Sequence, residues 1–119
     1  MPGSFARLAV AATLFAALSL PARADYYGAI AYSTGNGAVG YSYDYGSRYA
    51  AEARALNECG GGCFIATWFR NACGALAVGQ NGWGADWGNS RAEAESKALN
   101  ACYRYTGGCY VKRWVCTTR

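Results

Sequence analysis

The chain repeats itself, and the repeat is dense enough to dictate architecture. Gly28-Ala29-Ile30-Ala31 returns as Gly74-Ala75-Leu76-Ala77, and Asn36-Gly37 returns as Asn81-Gly82. Ser47-Arg48, Ala55-Leu56-Asn57 and Cys59 return as Ser90-Arg91, Ala98-Leu99-Asn100 and Cys102. Cys63 and Trp68 return as Cys109 and Trp114. Two copies of one supersecondary unit with no linker between them predict a shared core, because one hairpin and one helix cannot bury enough apolar surface alone.

Residues 1–24 read as a secretory leader. Arg7 is the positive n-region, Leu8 to Leu20 the apolar h-region, and Ala22-Arg23-Ala24 a small-x-small cleavage site. The apolar stretch is too short to span a bilayer. Removing the leader leaves 95 residues, Asp25 to Arg119, with nine Lys and Arg against seven Asp and Glu. That slight excess predicts no nucleic-acid partner. The remainder has the length of a single domain, residues 25–119, with repeats at about 26–71 and 72–119.

Each repeat reads as hairpin, helix, strand (ββαβ), which makes the fold class a duplicated α+β domain. Asn-Gly between alternating runs signals a two-residue type I′ turn. On that reading Thr34, Tyr32 and Ile30 oppose Val39, Tyr41 and Tyr43, and Gln80, Val78 and Leu76 oppose Trp83, Ala85 and Trp87. One face of each hairpin is then large and apolar. The other carries Ala31, Ser33, Gly40 and Ser42, or Ala77, Gly79, Gly84 and Asp86. Small residues admit a close neighbour, a helix or the other repeat. Ser47 and Ser90 are N-caps, and Ser90 with Glu93 forms a capping box. Ala51, Ala55, Leu56 and Cys59 make one helix stripe; Ala94, Ala98, Leu99 and Cys102 make its copy. Gly60-Gly61-Gly62 and Gly107-Gly108 end the helices, and third strands follow at Phe64 to Arg70 and Tyr110 to Val115.

All six cysteines fall after the leader, in a chain with no histidine and no CxxC. An even count in a short exported chain is a disulfide framework, which places the protein in the periplasm or outside the cell. Six cysteines allow 15 pairings. Repeat equivalence favours Cys59–Cys63 and Cys102–Cys109, each closing its own glycine loop. Cys73–Cys116 remains and ties the halves through the end of the chain. The competing pattern exchanges partners between repeats.

Without histidine there is no imidazole base and no Ser-His or Cys-His pair, and oxidised cysteines are not nucleophiles. No catalytic residue, metal site or cofactor is therefore expected. The enzymatic rival is a small hydrolase or effector that uses the near-symmetric Asp44 and Asp86 as a carboxylate pair. The aromatic residues offer more. Tyr41, Tyr43, Trp83 and Trp87 lie on the hairpins and are the candidate binding platform, against the plain alternative of core packing. Lys112, Arg113, Arg104 and Arg119, with Arg70, add basic character. The expectation is a monomeric binding module for a protein or an envelope glycan; an inhibitor of a host or competitor enzyme would be a variant of the same idea.

Tyr27-Gly28-Ala29-Ile30-Ala31-Tyr32-Ser33, the stretch Trp68-Phe69-Arg70-Asn71-Ala72-Cys73-Gly74-Ala75-Leu76-Ala77 and the closing Trp114-Val115-Cys116-Thr117-Thr118 resemble a bacterial family of small exported proteins, known as a domain of unknown function and found also among mycobacterial secreted proteins. The resemblance spans the whole chain after the leader. It implies a duplicated, disulfide-bonded α+β domain in a secreted protein and brings no catalytic or binding residues with it.

Overall fold

The computed structural model describes residues 24–119, so the leader expected at the N-terminus lies almost wholly outside the described residues. The first repeat forms β1 (Tyr27–Tyr32), β2 (Val39–Tyr45), α1 (Arg48–Cys59) and β3 (Phe64–Arg70). The second forms β4 (Cys73–Val78), β5 (Trp83–Gly88), α2 (Arg91–Tyr103) and β6 (Tyr110–Cys116). Each repeat makes its own antiparallel three-stranded sheet, in the order β2-β1-β3 and β5-β4-β6. The duplicated α+β fold is therefore what the chain adopts.

The two faces of each sheet have different tasks. Ile30, Tyr32, Phe69, Leu76 and Val115 are buried between the sheets, fringed by Val39, Phe64, Val78, Trp83 and Ala85. Ala29 and Ala31 meet Ala51, Ala55 and Cys59 of α1, while Ala75 and Ala77 meet Ala94, Ala98 and Cys102 of α2. The layers run helix, sheet, sheet, helix. The small-residue face meets the repeat's own helix, not the other repeat. Gly40 and Gly84 make that approach possible, because a Cβ on either would collide with helix backbone at Cys59 or Cys102.

β3 packs over β5 and β2 over β6, with β1 over β4 between them. Exchanging the repeats converts one contact into the other, so the molecule has an approximate twofold relation. Phe69 marks its centre. A Cβ on Gly28 or on its equivalent Gly74 would strike the Phe69 ring, from one repeat and from the other. The third strands also carry matching bulges, at Ala66 between Ile65 and Thr67, and at Lys112 between Val111 and Arg113.

The hairpin registers differ from the two-residue-turn expectation by two positions. Tyr32 pairs with Val39 and Ile30 with Tyr41; Val78 pairs with Trp83 and Leu76 with Ala85. A shift of two leaves every side chain on its expected face, since strand side chains alternate with period two. The cause is turn type. Asn36 and Asn81 do not take the positive φ that a type I′ turn requires. In the first hairpin Gly37 alone is left-handed (φ 75°), and the Asn36 side chain accepts from the Ala38 N–H at 3.0 Å, closing a longer loop. In the second, Gly79 and Gly82 bracket the turn, and the Gly79 N–H donates to the Gly82 carbonyl at 2.8 Å.

Ser47 and Ser90 cap their helices, accepting from the Ala50 and Glu93 N–H groups at 3.1 Å each. The Glu93 carboxylate reaches back to the Asn89 N–H, one residue before the cap, at 2.7 Å. Arg48 and Arg91 each bridge to a glutamate one turn on, Glu52 and Glu95. They also lie over Trp68 and Trp114, at 4.2 and 3.9 Å from the ring centroids. The repeated Ser-Arg steps and tryptophans thus seal the helix N-termini against the third strands.

Disulfides join Cys59 to Cys63, Cys102 to Cys109 and Cys73 to Cys116. The last joins partners in register on β4 and β6, so it closes the second sheet and does not tie the halves. The first repeat has Tyr27 and Arg70 at the equivalent positions. The halves are joined by the core between the sheets and by a clamp. Asp44 accepts from the Thr118 N–H at 2.9 Å and from the Thr118 hydroxyl at 2.7 Å.

Candidate functional site

The hairpin aromatics do not form one platform. Trp83 is half-buried at the fringe of the core, with Phe64 at 5.1 Å and Tyr32 at 6.0 Å between ring centroids. Trp87 is 45% exposed under Lys97, whose ammonium lies 4.8 Å from the ring centroid. It borders a shallow groove along β3 that includes Trp68 and Arg70. Tyr41 is 40% exposed beneath the Arg113 guanidinium, on the opposite pair of sheet edges. Tyr43 is exposed on the same strand as Tyr41, beside the bulge at Asp44. Of the four, only Trp83 lines the groove at the turn end of the sheets.

The carboxylate pair does not assemble either. Asp44 is the extra residue of a β2 bulge, held at φ 62°, with both oxygens engaged by Thr118. Asp86 lies on β5, opposite Ala75, 3.8 Å from Lys97. Because Gly40 and Gly84 are equivalent, Asp86 corresponds to Ser42 and Asp44 has no counterpart. The two acids occupy edge strands of different sheets that pack over different partners. The apparent symmetry in sequence arises from a one-residue insertion.

A groove of about 760 Å³ lies at the turn end of the sheets. Its floor includes Tyr32, Ala66, Val78, Trp83 and Ala85; its rim is Thr34, Gln80, Asn81, Arg104 and Tyr105. It falls within the size range of small-ligand sites, roughly 300–1,000 Å³. Its walls are pinned. The Gln80 N–H donates to the Gly107 carbonyl at 3.1 Å, and the Asn81 N–H donates to the Thr106 hydroxyl at 2.9 Å. Thr106 packs against Gly79 and Gly82 so closely that a Cβ on Gly79 would overlap it. The β4–β5 turn and the loop after α2 are therefore hydrogen-bonded and packed into one rim.

This groove exists where the two copies differ. The helix-end disulfide spans seven residues in the second repeat and four in the first, and the extra length carries Arg104 and Tyr105. At the bulge, the first repeat has Ala66 and the second has Lys112, whose ammonium lies against Gly37. Trp83 stands where the first repeat has Val39. On one side of the approximate twofold a long loop, a tryptophan and an alanine frame an open groove. At the corresponding places on the other side stand a short loop, a valine and a lysine. Sequence reading by likeness between copies passes over Tyr105 and treats Arg104 as general basicity; the unequal cysteine spacing is the signal that points to both.

The basic residues are similarly scattered. Arg70 lies 4.0 Å from Asp25, Arg113 covers Tyr41 and Arg119 lies 5.9 Å from the Tyr26 ring. Arg104 has neither a carboxylate within ion-pair distance nor an aromatic ring beneath it among the described residues. No helix among the described residues is long and apolar enough to cross a membrane.

The profile of a domain of unknown function, DUF4189, matches residues 27–116, which is every strand and both helices. The chain belongs to the DUF4189 family. Protein Rv1269c of Mycobacterium tuberculosis and Protein Mb1300c of Mycobacterium bovis are each 45% identical over 94 residues, covering 78% of this chain and 71% of theirs. The NMR structure of Rv1813c from Mycobacterium tuberculosis superposes with a TM-score of 0.60 at 31% identity, covering 83% of this chain and 80% of that one. The names of these relatives carry no activity.

Proposed function

We propose that this DUF4189 protein is an exported, monomeric, non-enzymatic binding module that recognises a protein or an envelope glycan through the groove between the β4–β5 turn and the loop after α2. One observation carries the reading: in a molecule built twice from one pattern, this groove gathers Ala66, Trp83, Arg104 and Tyr105, positions at which the two copies depart from each other. Features common to both copies satisfy the fold. A longer loop whose extra residues are exposed, yet held by hydrogen bonds to a neighbouring turn, serves something other than folding. Walls held by hydrogen bonds also favour binding, since less ordering entropy is lost when a ligand docks. The leader-like residues 1–24 and three disulfides in a small domain support export to an oxidising compartment.

The test is a titration of the ¹⁵N-labelled, oxidised protein with glycan and protein fractions of a bacterial envelope. Shifts concentrated on Gly79–Gly84 and Arg104–Gly107 are expected with at least one fraction. Shifts confined to Tyr41, Tyr43 and Trp87, or none with any fraction, would overturn the assignment.

A further inference from the structure

We infer that the groove is a site for an acidic oligosaccharide, with Arg104 reading a sugar carboxylate. This rests on the groove being the binding site and goes on to name the class of ligand. Three observations carry it. First, the groove has no acidic lining residue, and Arg104 is its only charge. A guanidinium with no partner on a hydrogen-bonded rim is suited to a planar carboxylate, which it can hold through two parallel hydrogen bonds.

Second, the donors of the turn are already engaged. The Gly79, Gln80 and Asn81 N–H groups go to Gly82, Gly107 and Thr106. Little main chain is left on this rim to read the backbone of a peptide. What it offers instead are side chains: the amides of Gln80 and Asn81, the hydroxyls of Thr34 and Tyr105, and the guanidinium. Side-chain amides supply a donor and an acceptor side by side, the complement of neighbouring sugar hydroxyls.

Third, Trp83 and Tyr105 belong to the same groove, and Tyr105 is 74% exposed. Aromatic rings with polar tips suit a ligand that has apolar C–H faces and hydroxyl edges. An acidic peptide would match the charge but not this mixture of amides, hydroxyls and rings.

The experiment titrates the ¹⁵N-labelled, oxidised protein with uronic-acid tetrasaccharides (galacturonate, glucuronate and mannuronate), their methyl esters and a tetraglutamate peptide. At least one uronate should shift Gly79–Gly84 and Arg104–Thr106 and bind at least tenfold more tightly than its ester. Arg104→Gln should abolish that preference. Ala66→Lys places in the open bulge the residue that its repeat counterpart carries, and should remove binding. Tyr105→Ser, at an exposed position, should weaken binding at least fivefold and decides the case if Ala66→Lys fails to fold. Equal binding of uronate and ester would overturn the role of Arg104. Preference for tetraglutamate, or no groove shift with any uronate, would overturn the glycan assignment. If envelope fractions still shift the groove in that last case, the ligand class fails while the binding site stands.

Discussion

At Gly84 an added Cβ would overlap the amide nitrogen of Cys102 and lie 2.7 Å from the Ala98 carbonyl oxygen. Backbone cannot move aside as a flexible side chain can, so Gly84→Ala is expected to destabilise by about 3 kcal/mol, the upper part of the overpacking range. Gly46 has open space around it and no left-handed backbone. Gly46→Ala should therefore be neutral or stabilise by up to about 1 kcal/mol. Urea denaturation of the two variants makes the comparison; equal midpoints would contradict the close helix–sheet approach. Asp44 has two separable roles, a left-handed backbone and a clamp on Thr118. Asp44→Ala should lose about 1–2 kcal/mol more than Asp44→Gly, because only alanine carries the left-handed penalty. Both should loosen residues 117–119 equally in NMR relaxation. These residue-level roles were hidden in sequence. A glycine in a strand does not announce what it faces, and Asp44 reads as a partner of Asp86 until the bulge shows it to be an insertion.

At the level of elements, the three disulfides do unequal work. Cys73–Cys116 closes a separation of 43 residues, Cys59–Cys63 one of 4. The chain-entropy model puts their stabilisation at about 4 and about 2 kcal/mol. Replacing Cys73 and Cys116 together by Ala should lower the thermal midpoint more than replacing Cys59 and Cys63, as scanning calorimetry would show. The reverse order would mean that the helix-end loop, not the second sheet, limits stability. Strands, helices, caps and faces were legible because they follow from periodicity and from serine before an alanine stripe. The registers lie two residues from those of a type I′ turn because Asn36 and Asn81 do not take the positive φ that such a turn requires. A shift of two keeps every side chain on its face, so Ile30, Tyr32 and Leu76 still point into the core, while Tyr41, Tyr43 and Trp87, on the edge strands, remain exposed.

On the scale of the whole molecule, each repeat presents a large apolar face that only the other repeat covers. Residues 25–71 produced alone should therefore give no cooperative thermal transition by circular dichroism, with or without the Cys59–Cys63 bond. A sharp transition would show that one repeat holds a sufficient core. Phe69, seated between Gly28 and Gly74, makes the dependence reciprocal, since its pocket is half supplied by each copy.

The duplication, the ββαβ order, the two faces of each sheet and the helix caps are legible in the residues alone, because they depend on local period and on residues that the fold needs in both copies. The repeat also narrows the cysteines to one favoured set of pairs. Which aromatics meet, that Asp44 and Asp86 do not, and that Ala66, Trp83 and Arg104 line one groove are settled by the packing of the sheets and loops. Those outcomes depend on which residues from distant segments converge. Trp83, Ala66 and Arg104 lie in three different elements and become neighbours only when the sheets stack and the longer loop folds over the turn.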